Sequence, residues 1–199
     1  MSESLKIQGP NLVLRFAQLS DAPQLFEIGS DVETTRYLSW GPYTELSQAE
    51  SFIGGMPRQV EAGEELGFLV TRGDEVLGVT AFTEPRPRDR SVVIGTWLTK
   101  PEWGTGVNTE LKAMMAALAF RAMGIDRLSV YAAVTNERSR GALGKVGFTE
   151  EGTLRRFHRH GDDWYDCVVG SVLRDEYEVG PLAAVPVQIT GDVPANWIF

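Results

Sequence analysis

A chain of 199 residues can bury one substantial core, and 43% hydrophobic with 23% charged residues is the composition of an ordinary globular domain. The formal charge of −8 argues against nucleic acid, whose binding needs concentrated positive surface, and leaves cationic partners such as amines or basic peptides open. The single cysteine, Cys167, excludes an internal disulfide and a thiolate-rich metal site. No apolar run approaches the ~20 residues of a membrane helix. The start Met1-Ser-Glu-Ser-Leu-Lys6 lacks the basic and apolar regions of a secretory signal. These readings predict a cytoplasmic chain with no membrane contact.

In chain order, Leu12–Phe16 alternates and predicts a first strand. Ser20-Asp-Ala-Pro23 predicts a helix start capped by Ser20 or Asp21, with Leu25, Phe26 and Ile28 on its buried face. A helical continuation over Val32–Tyr37 leads into the turn-rich loop Leu38-Ser-Trp-Gly-Pro-Tyr43. Ser47 with Glu50 has the spacing of a capping box opening a second helix to about Glu61. Two strands, Glu65–Thr71 and Glu75–Glu84, flank a hairpin turn with Gly73 and Asp74 at its tip. After the polar loop Pro85–Arg90, the β-branched run Ser91–Leu98 predicts a buried strand.

The run that follows, Pro101-Glu-Trp-Gly-Thr-Gly106, is a glycine-rich turn opening into a helix, whose apolar stripe is Leu111, Met114, Met115, Leu118 and Ala122. A strand, a glycine turn and a helix N-terminus together make an anion site, because unpaired main-chain N–H groups and the helix dipole converge there. Gly104 and Gly106 lack a Cβ and let phosphates approach the backbone. An ordinary β-to-α connection would use glycines in the same way. Beyond Gly124, a helix C-cap, come a strand Arg127–Ala133, a short helix Asn136–Lys145 and two strands, Phe148–His158 and Trp164–Leu173, around a turn at Gly161-Asp-Asp163. Residues 179–199 predict an irregular C-terminal extension to a domain spanning 1–178, with the apolar Asn196-Trp-Ile-Phe199 able to dock or to serve a dimer contact. The element order predicts an α/β (α+β) fold, a mixed and mostly antiparallel sheet flanked by helices. No internal repeat is present, and neither Gly-x-Gly-x-x-Gly nor Gly-Lys-Ser/Thr occurs.

Five motifs in this order, Trp103-Gly-Thr-Gly-Val-Asn-Thr-Glu110, Asn136-Glu-Arg-Ser-Arg140 with Gly147-Phe148, Glu151-Gly-Thr-Leu-Arg155, Tyr165-Asp-Cys-Val168 and Leu173-Arg-Asp-Glu-Tyr177, resemble the GNAT superfamily of acyl-CoA-dependent N-acyltransferases. Within it they are most similar to the RimJ/RimL-like group, over roughly Leu12 to Tyr177. The resemblance implies acetyl transfer from acetyl-CoA to a primary amine, a small molecule or a protein N-terminus, with no metal. It implies that Gly104, Thr105, Gly106, Val107, Asn108 and Thr109 take the donor's pyrophosphate on main-chain N–H groups. It also implies that the strand ending at Trp97-Leu98-Thr99 splays from its neighbour and pairs with the pantetheine arm, that Asn136 contacts pantetheine, and that Ser139 protonates the departing thiolate.

Three positions depart from the family pattern, one of them Asn108, which stands where the turn motif has a small residue. Trp103 replaces a basic or amide residue at the turn, and Val93 replaces a glutamate that relatives use to deprotonate the amine. The base is then to be sought among Glu150, Glu151, Asp166, His158 and His160, the two histidines reading more simply as part of a solvated basic face. Asp166 could hold the acceptor's ammonium or pair with an arginine. Trp40 and Tyr43 fall in the loop where the superfamily builds its acceptor pocket, where they could equally anchor that loop to the core. Asn136 and Ser139 have plain alternatives as well, an N-cap and a hydroxyl bonded within its own helical turn. A non-catalytic acyl-CoA-binding module with the same fold is the alternative reading, motivated by Val93.

Overall fold

The computed structural model describes residues 4–199; Met1–Glu3, part of the expected 1–178 domain, lie outside the described residues. Nine strands form one sheet in the order β7-β8-β6-β5-β4-β3-β2-β1-β9. They are β1 (Lys6–Gln8), β2 (Val13–Arg15), β3 (Glu65–Arg72), β4 (Glu75–Arg86), β5 (Ser91–Leu98), β6 (Arg127–Ala133), β7 (Thr149–His160), β8 (Asp163–Leu173) and β9 (Gln188–Thr190). Every neighbouring pair is antiparallel except β5 and β6, which are parallel because a helix crosses between them.

Alternation along β3 sets the two faces. Leu66, Phe68 and Val70 belong to the main core with α4 (Val107–Ala117), whereas Leu69 packs with α1 (Ala22–Gly29) and α3 (Leu46–Ala62). α4 continues as a π-helical turn over Leu118–Ala122. Its predicted stripe is buried at Leu111, Met114, Met115 and Leu118, each side chain contributing about 1.5–3 kcal/mol by leaving water. Burial extends well past that stripe, through Ala113, Ala116, Ala117 and Lys112. Residues 179–199 contribute to the same core. Instead of staying irregular they add β9 to the edge of β1 and insert Trp197, fully buried, into the same core as α4. Trp197 Nε1 donates to Val60 O at 3.2 Å and Phe199 N to Met123 O at 2.8 Å.

Smaller corrections concern helix ends. Asp21 stands at the N-cap position of α1, as expected, but its side chain makes no capping bond there; a 3-10 turn, Leu19–Asp21, precedes the helix, and Asp21 accepts from Arg15 (2.7 Å) and from Gln18 N (2.7 Å). The arginine and that amide pull the Asp21 carboxyl below the ordinary range. α3 begins with Gln48, not Glu50, folding back: its Oε1 accepts from Thr44 N and Glu45 N at 2.7 and 3.0 Å. Phe26 is half-buried beside the second cluster, and Val32–Thr35 forms its own short helix, α2, capped by Asp31. α5 (Glu137–Lys145) and α6 (Arg174–Val179) complete the elements.

Candidate active site

The parallel pairing of β5 and β6 covers only Ser91↔Arg127, Val92↔Leu128 and Val93↔Ser129. Beyond it β5 runs on to Leu98 and β6 to Ala133 without pairing, so the strands splay and leave a free edge on β5. A cleft of about 540 Å3 occupies the opening. Its walls come from both sides of the splay: Gly95–Leu98, Trp103, Gly104 and Asn108 after β5, and Tyr131–Ala133, Asn136, Arg138 and Ser139 after β6.

At one end lies the glycine turn. Gly104 and Gly106 have φ of +79° and +98°, a region costly for any residue bearing a Cβ, so the turn keeps its shape only with glycine. Among the described residues, the N–H groups of Gly104 through Asn108 donate to no protein acceptor. Thr109 N donates to Gly106 O at 3.0 Å and drops out of the expected set. Val107 is buried and anchors the helix start, and the Thr105 hydroxyl donates to Glu102 O. Thr99 lies off the cleft, with its N–H on Leu77 O. Glu102, on the wall, is held by Arg72 at 2.9 and 3.0 Å, and this ion pair lowers its pKa. That neutralises the carboxylate nearest the free amides.

Asn136 caps α5, its Oδ1 accepting from Ser139 N at 3.1 Å. The Ser139 hydroxyl makes no hydrogen bond within the described residues, so the local bond open to it in the sequence is absent, and Ser139 lines the cleft. At the opposite end Trp40 lines the wall with Trp97, edge-to-face at 5.1 Å. Tyr43 sits behind, stacked on Trp40 at 4.6 Å and packed over Gly29. Burial pushes its hydroxyl up to about 12. Of the two loop aromatics, one faces the cleft and the other holds it there.

The carboxylates suspected from sequence do not reach the cleft. Asp166 Oδ1 accepts from Arg156 N at 2.7 Å, bracing a bulge in β7, and the side chain is not among those lining the cleft. Glu150 pairs with Arg140. Glu151 pairs with Arg127 and accepts from Ser171 Oγ, and these bonds hold it at about 2, far too acidic for a base. His160 Nδ1 is engaged with Leu38 O. His158 alone of that group lines the cleft, and its Nε2 is buried without a partner. Val93 is an apolar part of the wall, and Cys167 is buried, with its thiol pKa raised by desolvation.

Sequence reading missed Glu84, Tyr131 and Arg138, which the cleft gathers from separate elements. It also missed Lys112, 4% exposed beneath the cleft. Its Nζ donates to Thr96 Oγ1 at 2.8 Å, Thr96 shares a 3.0 Å bond with Thr80 Oγ1, and Thr80 donates to Gly95 O. Burial lowers the lysine to about 7.

Residues 11–149 match the family model described as an acetyltransferase (GNAT) domain. The chain is 33% identical over 174 residues to a Bacillus subtilis protein provisionally named ribosomal N-acetyltransferase YdaF, covering 84% of this chain and 94% of that one. It is 29% identical over 168 residues to the uncharacterized N-acetyltransferase p20 of Bacillus licheniformis, covering 83% and 94%. Mycobacterium smegmatis RimJ, solved with CoA-disulfide, has the same fold, with a TM-score of 0.76 at 23% identity over 92% and 91% of the two chains.

Proposed function

The chain belongs to the GNAT family of acetyltransferases, and from that premise we propose that it transfers acetyl from acetyl-CoA to a primary amine by direct attack in a ternary complex. One observation carries the reading: five consecutive free N–H groups, Gly104 to Asn108, lie at the mouth of a splayed strand pair. In this reading they hold the donor's diphosphate with the α4 dipole. The pantetheine arm then runs along the free edge of β5 at Gly95–Leu98, pairing as an added strand would, with Asn136 on its other side.

The thioester comes to lie beside Ser139, and the acceptor enters at the end of the cleft walled by Trp40 and Trp97. Its amine must be neutral to attack, because an ammonium has no lone pair. His158, in the tautomer with hydrogen on Nδ1, takes the ammonium proton on Nε2. The lone pair forms the C–N bond, the adduct nitrogen gives its surplus proton to solvent as the C–S bond breaks, and Ser139 gives its hydroxyl proton to the thiolate and regains one from solvent; His158 sheds its proton to solvent before the next turnover. Positioning supplies most of the acceleration, since the donor is already activated. The relatives named for ribosomal proteins favour a protein N-terminus as acceptor, whereas the aromatic walls suit a small amine equally well.

The deciding experiment measures free thiol released from acetyl-CoA against a panel of amines and N-terminal peptides, with products identified by mass spectrometry. Acceptor-stimulated release is expected. Tight acetyl-CoA binding with no stimulated release by any amine would instead support the binding module that the apolar Val93 wall suggests.

A further inference from the structure

Arg138 forms no ion pair and donates to no acceptor among the described residues, although it lines the cleft. Its guanidinium lies over the face of Trp103, 3.2 Å from the ring centroid. Trp103 is fixed in turn, its Nε1 donating to Leu98 O at 2.9 Å. The two residues come from opposite sides of the splay, Trp103 from the β5–α4 turn and Arg138 from the first turn of α5. Their stack therefore bridges the donor end of the cleft, directly beside Gly104 and the free amides that follow it. Glu102, the carboxylate on the wall beside Trp103, is already committed to Arg72. The charged or polar groups that act on Arg138 are Tyr37 and Glu33, both lining the cleft and neither of them bonded to it.

A cation held on an aromatic face, with its N–H groups uncommitted, is pre-ordered for an anion and loses little rotamer freedom on binding one. We propose that Arg138 is a donor-specificity residue: resting on Trp103, it closes over the diphosphate of acyl-CoA and meets it from the side opposite the Gly104–Asn108 amides. This rests on the acyl-CoA reading above. The planar fork sets two parallel N–H donors on two phosphate oxygens in a fixed geometry that a lysine's ammonium does not preset.

Calorimetric titration of the whole chain with CoA, 3′-dephospho-CoA and pantetheine tests it, comparing wild type with Arg138→Met and Arg138→Lys. Arg138→Met should weaken CoA and dephospho-CoA alike, by about 10-fold or more, and leave pantetheine unchanged, because pantetheine has no diphosphate. Arg138→Lys should recover only part of the loss. An unchanged CoA affinity in Arg138→Met overturns the proposal. So does an equal loss for pantetheine, which would mean a loosened cleft, or a loss confined to CoA, which would move the contact to the 3′-phosphate. A wild-type chain that binds none of the three compounds overturns the acyl-CoA reading itself, a result separable from all the others.

Discussion

The two ends of the cleft are built by different means. The end proposed for the donor is made of main-chain N–H groups on a turn whose shape two positive-φ glycines enforce, set on α4, a helix buried on nearly every side. The end proposed for the acceptor is made of side chains, Trp40 and Trp97, supported by Tyr43 and Phe52 and carried partly on a loop between short helices. A backbone site recognises a charge common to every acyl-CoA and tolerates substitution of its side chains. A side-chain site recognises one acceptor and can be remade one residue at a time. Such a division lets a fold keep its donor while its acceptor changes.

The largest effect expected is on the scaffold of the donor end. Lys112 titrates near 10.4 in an unfolded chain and at about 7 when folded. Between those values the unfolded chain holds a proton that the folded chain lacks, so stability rises with pH across roughly 7 to 10.4, and below 7 the penalty is complete. Lys112→Met should raise unfolding free energy at pH 7 by on the order of a few kcal/mol and flatten that slope, read by denaturant titration at several pH values. A variant no more stable than wild type would show that the Thr96–Thr80 chain already offsets the burial.

Next in size is the junction of the two ends. Ser139→Ala should lower kcat by roughly 100-fold while leaving the acetyl-CoA KM nearly unchanged, provided chemistry limits turnover. At the donor end itself, Gly106→Val forces a β-branched residue into φ of +98° and should weaken CoA at least about 10-fold by calorimetry. Smallest, and the sharpest test of the division, is Trp40→Ala. It should raise the acceptor KM by roughly several-fold and leave CoA affinity unchanged. Loss of CoA binding in Trp40→Ala would mean that the two ends are one site.

Legibility in the sequence follows the same divide. β5, the glycine turn and the start of α4 were readable because turn glycines and β-branched runs act locally. Trp40 and Tyr43 were both visible as loop aromatics, but which of them faces the cleft depends on Gly29, fourteen residues before Tyr43, leaving room for its ring. The Arg138–Trp103 stack joins two elements across a splay, and no spacing announces it. Lys112 escaped for another reason. An amphipathic stripe leaves a lysine to the solvent side, whereas Lys112 turns its Nζ onto Thr96 of β5 and is buried there. β1 and β9, three residues each, are too short for alternation to register and exist through their pairing. Asp166 lay in a motif that the resemblance linked to the acceptor, yet its carboxylate serves the backbone of its own hairpin.

The placing of the indoles has a practical consequence. Three of the five tryptophans, Trp40, Trp97 and Trp103, line the cleft; Trp197 is sealed in the core and Trp164 is exposed on the far hairpin. The molecule thus carries its own optical gauge. Its intrinsic emission should respond to a nucleotide arriving at Trp103 and to an amine arriving at Trp40, and replacing either indole with phenylalanine would tell the two arrivals apart without any added dye.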